Sequence, residues 1–153
     1  MTYQSAPDAF LSAISSRDFG SLAESLAPEA HARMLLPPGP EVRSGREAIA
    51  RRFEGWFLRS TDFEVLDSQR IDVGPRSRLN WRFRLSRDGR SHEVIEQVAF
   101  VNVCTEGISE IDLLCSGFHR EEEALLASSV DAGASGSPSI MGESSASLEA
   151  VNP

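Results

Sequence analysis

The sequence predicts an α+β fold, with helices gathered at the front of the chain and an antiparallel sheet behind them. Helical spacing of apolar residues fills the stretches before Phe57. Four alternating strand-like segments then run from about 63 to 119, joined by links of three residues. A run of helices followed by a run of strands packs as one helical layer on one face of a sheet. The chain has 153 residues, of which 41% are hydrophobic, enough for one core and one domain.

The elements follow in order. "PDAFLSAISSRD" places Phe10, Leu11 and Ile14 on one helical face, with Pro7 in the first turn. "DFGSLAESLAP" forms a second, short helix, capped by Asp18 and stopped before Pro28. "HARMLLPPGP" reads as a short extended segment broken by three prolines. In "SGREAIARRFEGWF", Ser44 and Glu47 have capping-box spacing, and Ile49, Phe53, Trp56 and Phe57 make an apolar stripe. The strands are expected near 63–73, 77–86, 91–104 and 108–119, with "GPR", "RDG" and "TEG" as hairpin loops.

Composition changes sharply after Arg120. All fifteen basic residues are arginines, and the last is Arg120. Six acids and no base follow it, so −6 of the formal −8 belongs to 121–153 and −2 to 1–120. The expected division is a domain over 1–120 and an acidic tail over 121–153, rich in Ser, Gly and Ala and predicted to be disordered. A near-neutral domain lacks the concentrated positive face of a nucleic-acid binder. There is no basic leader followed by an apolar core, and no apolar run of membrane-spanning length. Two cysteines at unrelated positions suit a reducing compartment. The expectation is a cytoplasmic protein that contacts neither membrane nor nucleic acid.

Register follows from side-chain sense, because a slip of one residue turns a strand over. A three-residue "TEG" loop pairs Val101 with Ile111, Ala99 with Leu113, Gln97 with Cys115 and Glu93 with His119. A two-residue "DG" loop would bury several arginines, at a cost on the order of several kcal/mol each. A three-residue "RDG" loop instead turns Leu79, Trp81 and Phe83 inward. The same reasoning applied to "GPR" turns Val65, Asp67, Gln69, Ile71 and Val73 inward. The inner wall then has three rows: Ile71, Leu79, Gln97, Cys115; Gln69, Trp81, Ile95, Gly117; and Asp67, Phe83, Glu93, His119. A few polar groups on an apolar wall are the usual make-up of a small-molecule site. The helical stripe of Ile49, Phe53 and Trp56 is its natural cover.

The order of elements, the "SGREAIARRFEGWF" helix after a Pro/Gly turn, and the closing "VNVCTEGISEIDLLCSGF" resemble the nuclear transport factor two-like superfamily. Within it the chain is most similar to the SnoaL-like branch of polyketide cyclases and ketosteroid isomerases, over about residues 7 to 120. The resemblance implies a cone-shaped α+β barrel. Three N-terminal helices would pack on a curved antiparallel sheet of four to five strands that encloses a pocket. It also implies a homodimer through the outer sheet face, where Val94, Val98, Phe100, Leu114 and Phe118 mix with charged residues. Ketosteroid isomerases carry a hydrogen-bonding Tyr where this chain has Phe10, and a proton-abstracting Asp where it has Met34. SnoaL-like cyclases use an Asp, and Asp112 on the closing strand faces outward in this register.

Each polar residue of the wall has two readings. Asp67 is a general base in dry surroundings or a rim carboxylate. Glu93 and His119 are an acid/base pair or a cross-strand ion pair. Gln97 holds a substrate oxygen or satisfies a backbone group. Cys115 lines the pocket as a small hydrophobe, and Cys104 sits too far up the strand pair to bridge it. Gln69, Trp81, Trp56, Phe10 and Met34 complete the wall, with His31 near the mouth. The scattered His and Cys have no metal-ligand spacing, so neither metal nor cofactor is expected.

Two functions follow. One is cofactor-free acid/base chemistry on an apolar oxygenated ligand of polyketide type: cyclisation, isomerisation, dehydration or epoxide opening. Asp67, His119 and Glu93 would be its catalytic groups. The other is a non-catalytic ligand-binding or assembly module on the same fold.

Overall fold

The computed structural model describes residues 4–121. The described residues up to His119 form one compact unit. The predicted tail lies outside the described residues apart from Glu121. Helices α1 (Ala6–Ser16), α2 (Phe19–Glu24) and α3 (Arg46–Phe57) accompany strands β1 (Leu26–Leu36), β2 (Gly39–Ser44), β3 (Thr61–Val73), β4 (Arg76–Ser86), β5 (Glu93–Cys104) and β6 (Gly107–Cys115). A two-residue β7 (His119–Arg120) pairs with β5. The α+β class stands, with the helices on one face of a curved, unclosed sheet ordered β2-β1-β6-β5-β4-β3. That sheet is larger than expected and mixed, because β1 lies parallel to β6 while its other long strands pair antiparallel.

The added strands come from the segment that its prolines made look broken. Pro37 and Pro38 occupy the turn between β1 and β2, where no ladder N–H is needed. Pro28 falls where the β1–β6 register shifts between Leu26 and His31. Gly107 begins β6 at φ 128°, and a Cβ there would stand 2.7 Å from the Ser25 carbonyl oxygen. Only glycine lets β6 approach the start of β1 this closely.

Helix α1 is capped by the Ser5 hydroxyl and α2 by the Asp18 carboxylate, which accepts from Ser21 N–H at 3.1 Å. The expected capping box of α3 does not form: Ser44 ends β2 and the cap position is Gly45. The far end of α3 is held by Arg17. Its guanidinium donates to the carbonyls of Phe57 (3.3 Å) and Ser60 (2.7 Å), where a cation suits the helix dipole.

The core lies between helices and sheet. Phe10, Phe53, Phe57, Trp81 and Phe83 are fully buried. Phe10 packs on Phe53 and Trp81 at centroid separations of 5.6 and 5.8 Å, and Phe57 on Phe83 at 5.3 Å. Such pairs add about 0.5–1.5 kcal/mol each beyond area burial.

Candidate ligand site

On the inner face, Trp81 pairs with Gln97 and Gln97 with Cys115, while Leu79, Ala99, Leu113 and Met34 form the next row. The expected β5–β6 pairs are all present from Val101–Ile111 to Gln97–Cys115. They are reached through a tighter turn, with Cys104 opposite Gly107 and a register shift after Asn102. Leu79, Trp81 and Phe83 face inward as expected, but each sits two residues further along β5. The cause is the loop between β4 and β5, which is longer than three residues. Asp88 holds it, accepting from the N–H groups of Arg90 and Ser91 at 2.8 and 2.9 Å.

These rows bring three polar groups together. Trp81 Nε1–H donates to Gln97 Oε1 at 2.8 Å, and Gln97 Nε2–H donates to Cys115 Sγ at 3.3 Å. Gly117 N–H also donates to that sulfur, at 3.4 Å. The indole fixes which way the amide points, and the amide then presents its N–H to the thiol. Gln97 is fully buried; the other buried polar side chains among the described residues are serines. Phe10 and Met34 are buried at the positions named by the resemblance. Trp56 is half-buried, with its ring 5.2 Å from Phe53 and the Arg52 guanidinium 4.5 Å over its face. Cys104 is exposed and Cys115 buried, both as free thiols.

The inward placement of Asp67 and Gln69 is overturned. A bulge at Leu66 inserts one residue between the pairs Val65–Phe83 and Asp67–Arg82, and β3 changes sense there. Val65 pairs with inward Phe83. Beyond the bulge, Asp67, Gln69, Ile71 and Val73 pair with Arg82, Asn80, Arg78 and Arg76 on the outer face. Asp67 accepts from Asn80 Nδ2–H at 3.2 Å, and Gln69 is exposed.

The other expected acid/base groups sit at the edges. Glu93 pairs with Leu85 rather than Phe83, and its carboxylate takes two hydrogen bonds from Arg87 at 2.6 and 2.8 Å. Arg87 also stacks 4.0 Å over Phe118. β6 ends at Cys115; Gly117 turns the chain at φ 84°, and the exposed His119 has Nε2 2.9 Å from the Ser116 carbonyl oxygen. His31 is exposed, with Nδ1 3.1 Å from Ser44 Oγ. Among the described residues no group of three or more His, Cys, Asp or Glu is placed to hold a metal ion. No helix among them is long and apolar enough to cross a membrane.

The outer face carries the ionic network and an open apolar groove. Asp112 lies between Arg33 and Arg76, each 2.7 Å away. The Arg33 hydrogen bond, followed by that from Arg76, holds its carboxyl below the ordinary range. The groove has a volume of about 560 Å³ and is lined by Leu35, Pro40, Val42, Val98, Phe100 and Leu114 among others. Leu35, Val42 and Leu114 are each more than half exposed. The apolar residues of β5 and β6 here, Val98, Phe100 and Leu114, are those the sequence places on the outer face. Leu35, Pro40 and Val42 are harder to see in the sequence, because the prolines of 31–40 hide the pairing of β1 with β2.

The SnoaL-like domain family matches residues 8–110, and the chain belongs to that family. Among solved structures it resembles a candidate ketosteroid isomerase from Kribbella flavida DSM 17836. Identity is 19% over 73% of this chain and 76% of that one, with a TM-score of 0.56. An M. tuberculosis epoxide hydrolase of the LEH-like type matches at 18% identity over 72% and 80% of the two chains, with a TM-score of 0.55. A protein of ketosteroid isomerase-like fold from Catenulispora acidiphila DSM 44928, solved with trimethylamine, matches at 13% over 73% and 85%, with a TM-score of 0.58. At these identities the likeness shows the fold. No curated protein matches the chain.

Proposed function

We propose that this domain is a non-catalytic binding and assembly module on the SnoaL-like fold, which forms a homodimer through the outer face of its sheet. One observation carries the reading: the two faces of the sheet divide the roles in reverse of a carboxylate enzyme. The inner face is taken up by packed rings and one buried amide, and Asp67 stands on the outer face, where it accepts from the Asn80 amide. Carbon-acid deprotonation and epoxide opening both need a carboxylate in dry surroundings. An apolar groove on an exposed sheet face needs a partner. Light scattering at micromolar concentration should give the dimer mass. Leu114→Glu, which sets a charge in the groove, should give a monomer with unchanged circular dichroism. A monomeric unmodified protein overturns the reading.

A second reading, an enzyme acting on an apolar oxygenated ligand, is favoured by the Trp81–Gln97–Cys115 chain. A pre-oriented amide and thiol on an apolar wall suit the holding of a carbonyl or ether oxygen. Native mass spectrometry of protein purified from its own host tests it, through the mass of any retained small molecule. Turnover of a retained compound that is lost in Cys115→Ala while binding persists would restore the enzyme reading. Retention without turnover would leave a binding module.

A further inference from the structure

The outer face contains a mismatch of charge that its own residues leave open. Most acids and bases of this face are partnered within the chain. Arg33 and Arg76 share Asp112, Arg82 holds Glu96 at 2.9 Å, and Arg84 lies 3.9 Å from Glu64. Two groups differ. Arg78 meets no acid among the described residues, and its Nε is buried without a hydrogen-bond partner. Asp67 meets no cation among them and has only the Asn80 amide. Asn80 Oδ1, between the two, is buried and equally without a partner.

Their positions on the sheet are complementary. Ile71, Arg78, Phe100 and Asp112 form one outward row, and Asp67, Arg82 and Glu96 another. Between them runs Gln69, Asn80, Val98, Leu114 and Leu35, apolar over its last three members. In a two-fold interface, any residue that touches a second position is itself touched there by the partner copy. An axis crossing the middle row obliquely carries Arg78 of one copy onto Asp67 of the other, and the reverse. Sheets packed face to face cross obliquely in this way, at about 30°.

We propose that the occupant of this face is a second copy of the chain, locked by two reciprocal Arg78–Asp67 ion pairs on either side of the Gln69–Asn80 end of the middle row. This rests on the assembly reading above and adds its register to it. The apolar row supplies burial. The two charges, which the monomer leaves unpaired, select one docking orientation over others.

The absence of lysine gives a direct test. Arg78→Lys keeps the charge and introduces the one side-chain amine of the chain. A carbodiimide joins an amine to a carboxylate only where the two touch. An equal mixture of ¹⁴N- and ¹⁵N-labelled protein should give a covalent dimer on a denaturing gel, with a mixed-isotope peptide linking position 78 to Asp67. Charge reversal supplies a second readout. Arg78→Glu or Asp67→Arg alone should raise the dimer dissociation constant at least tenfold, and the two together in one chain should recover most of the loss. A solution dimer that links position 78 only to other acids, or ignores both reversals, overturns the ion-pair register while leaving the assembly reading intact. A monomeric unmodified protein overturns both.

Discussion

Gln97 is the residue on which the inner wall turns. It is fully buried, and its oxygen is the hydrogen-bond acceptor of the Trp81 indole at 2.8 Å. Gln97→Leu fills a similar volume but leaves that N–H without a partner in a dry core. An unsatisfied buried donor costs about 1–3 kcal/mol, so the urea midpoint should fall accordingly. Adding Trp81→Phe removes the orphaned donor, and the double variant should fall by less than the sum of the two single changes. A simple sum would mean that the hydrogen bond contributes nothing. Gly117 is a second point of control. It sits at φ 84°, and a Cβ there would stand 2.7 Å from Pro37 Cγ, so Gly117→Ala combines backbone strain with a clash. A loss of about 1 kcal/mol or more is expected by denaturant titration.

At the level of elements, what could be read from the chain depended on how strictly each strand alternates. β4 reads Arg78, Leu79, Asn80, Trp81, Arg82, Phe83, Arg84, and burial of the arginines is so costly that its sense was fixed without a structure. β3 offers no such constraint. Val65, Ile71 and Val73 share one parity with Asp67 and Gln69, and the bulge at Leu66 has no glycine to announce it. The loop after β4 is longer than its Asp-Gly pair suggests, because the Asp88 carboxylate, rather than a tight glycine turn, organises it. Backbone N–H groups of Arg90 and then Ser91, with hydroxyls from Ser91 and Ser86, depress the Asp88 pKa strongly. A carboxylate with a depressed folded-state pKa stabilises the fold fully above its unfolded value, about 3.9. That stabilisation is lost as pH falls toward the folded value. Asp112 and Glu41, held low by Arg33 and Arg52 foremost, add to the same trend. Stability should therefore be flat near neutrality and fall below about pH 4. In Asp88→Asn the fall should be shallower, because one of the linked protons is gone. An unchanged acid slope in chemical denaturation would show that the loop carboxylate is not linked to folding.

For the whole molecule, the fold class was legible because helices precede strands, and the family because its closing strands keep their pattern. The site was less legible. Which face of a sheet does the work depends on bulges and on added strands, and both lay in segments with ambiguous alternation. β1 and β2 widen the outer face and complete its groove with Leu35, Pro40 and Val42. A chain that stabilises itself by covering this groove with a second copy has a stability that depends on its own concentration, since the dimer is favoured over unfolded chains by mass action. The midpoint of thermal unfolding should therefore rise as the concentration increases from about 1 to 100 times the dimer dissociation constant, an added stability of about 2.7 kcal/mol at the upper end. Leu114→Glu should abolish the concentration dependence and keep the low-concentration midpoint, because Leu114 is 56% exposed in the single chain and lies outside the buried core. Differential scanning calorimetry over that range separates the outcomes. A midpoint independent of concentration in the unmodified protein would mean that the groove is not closed by a second copy. A lowered midpoint in Leu114→Glu at every concentration would mean that the residue supports the monomer itself.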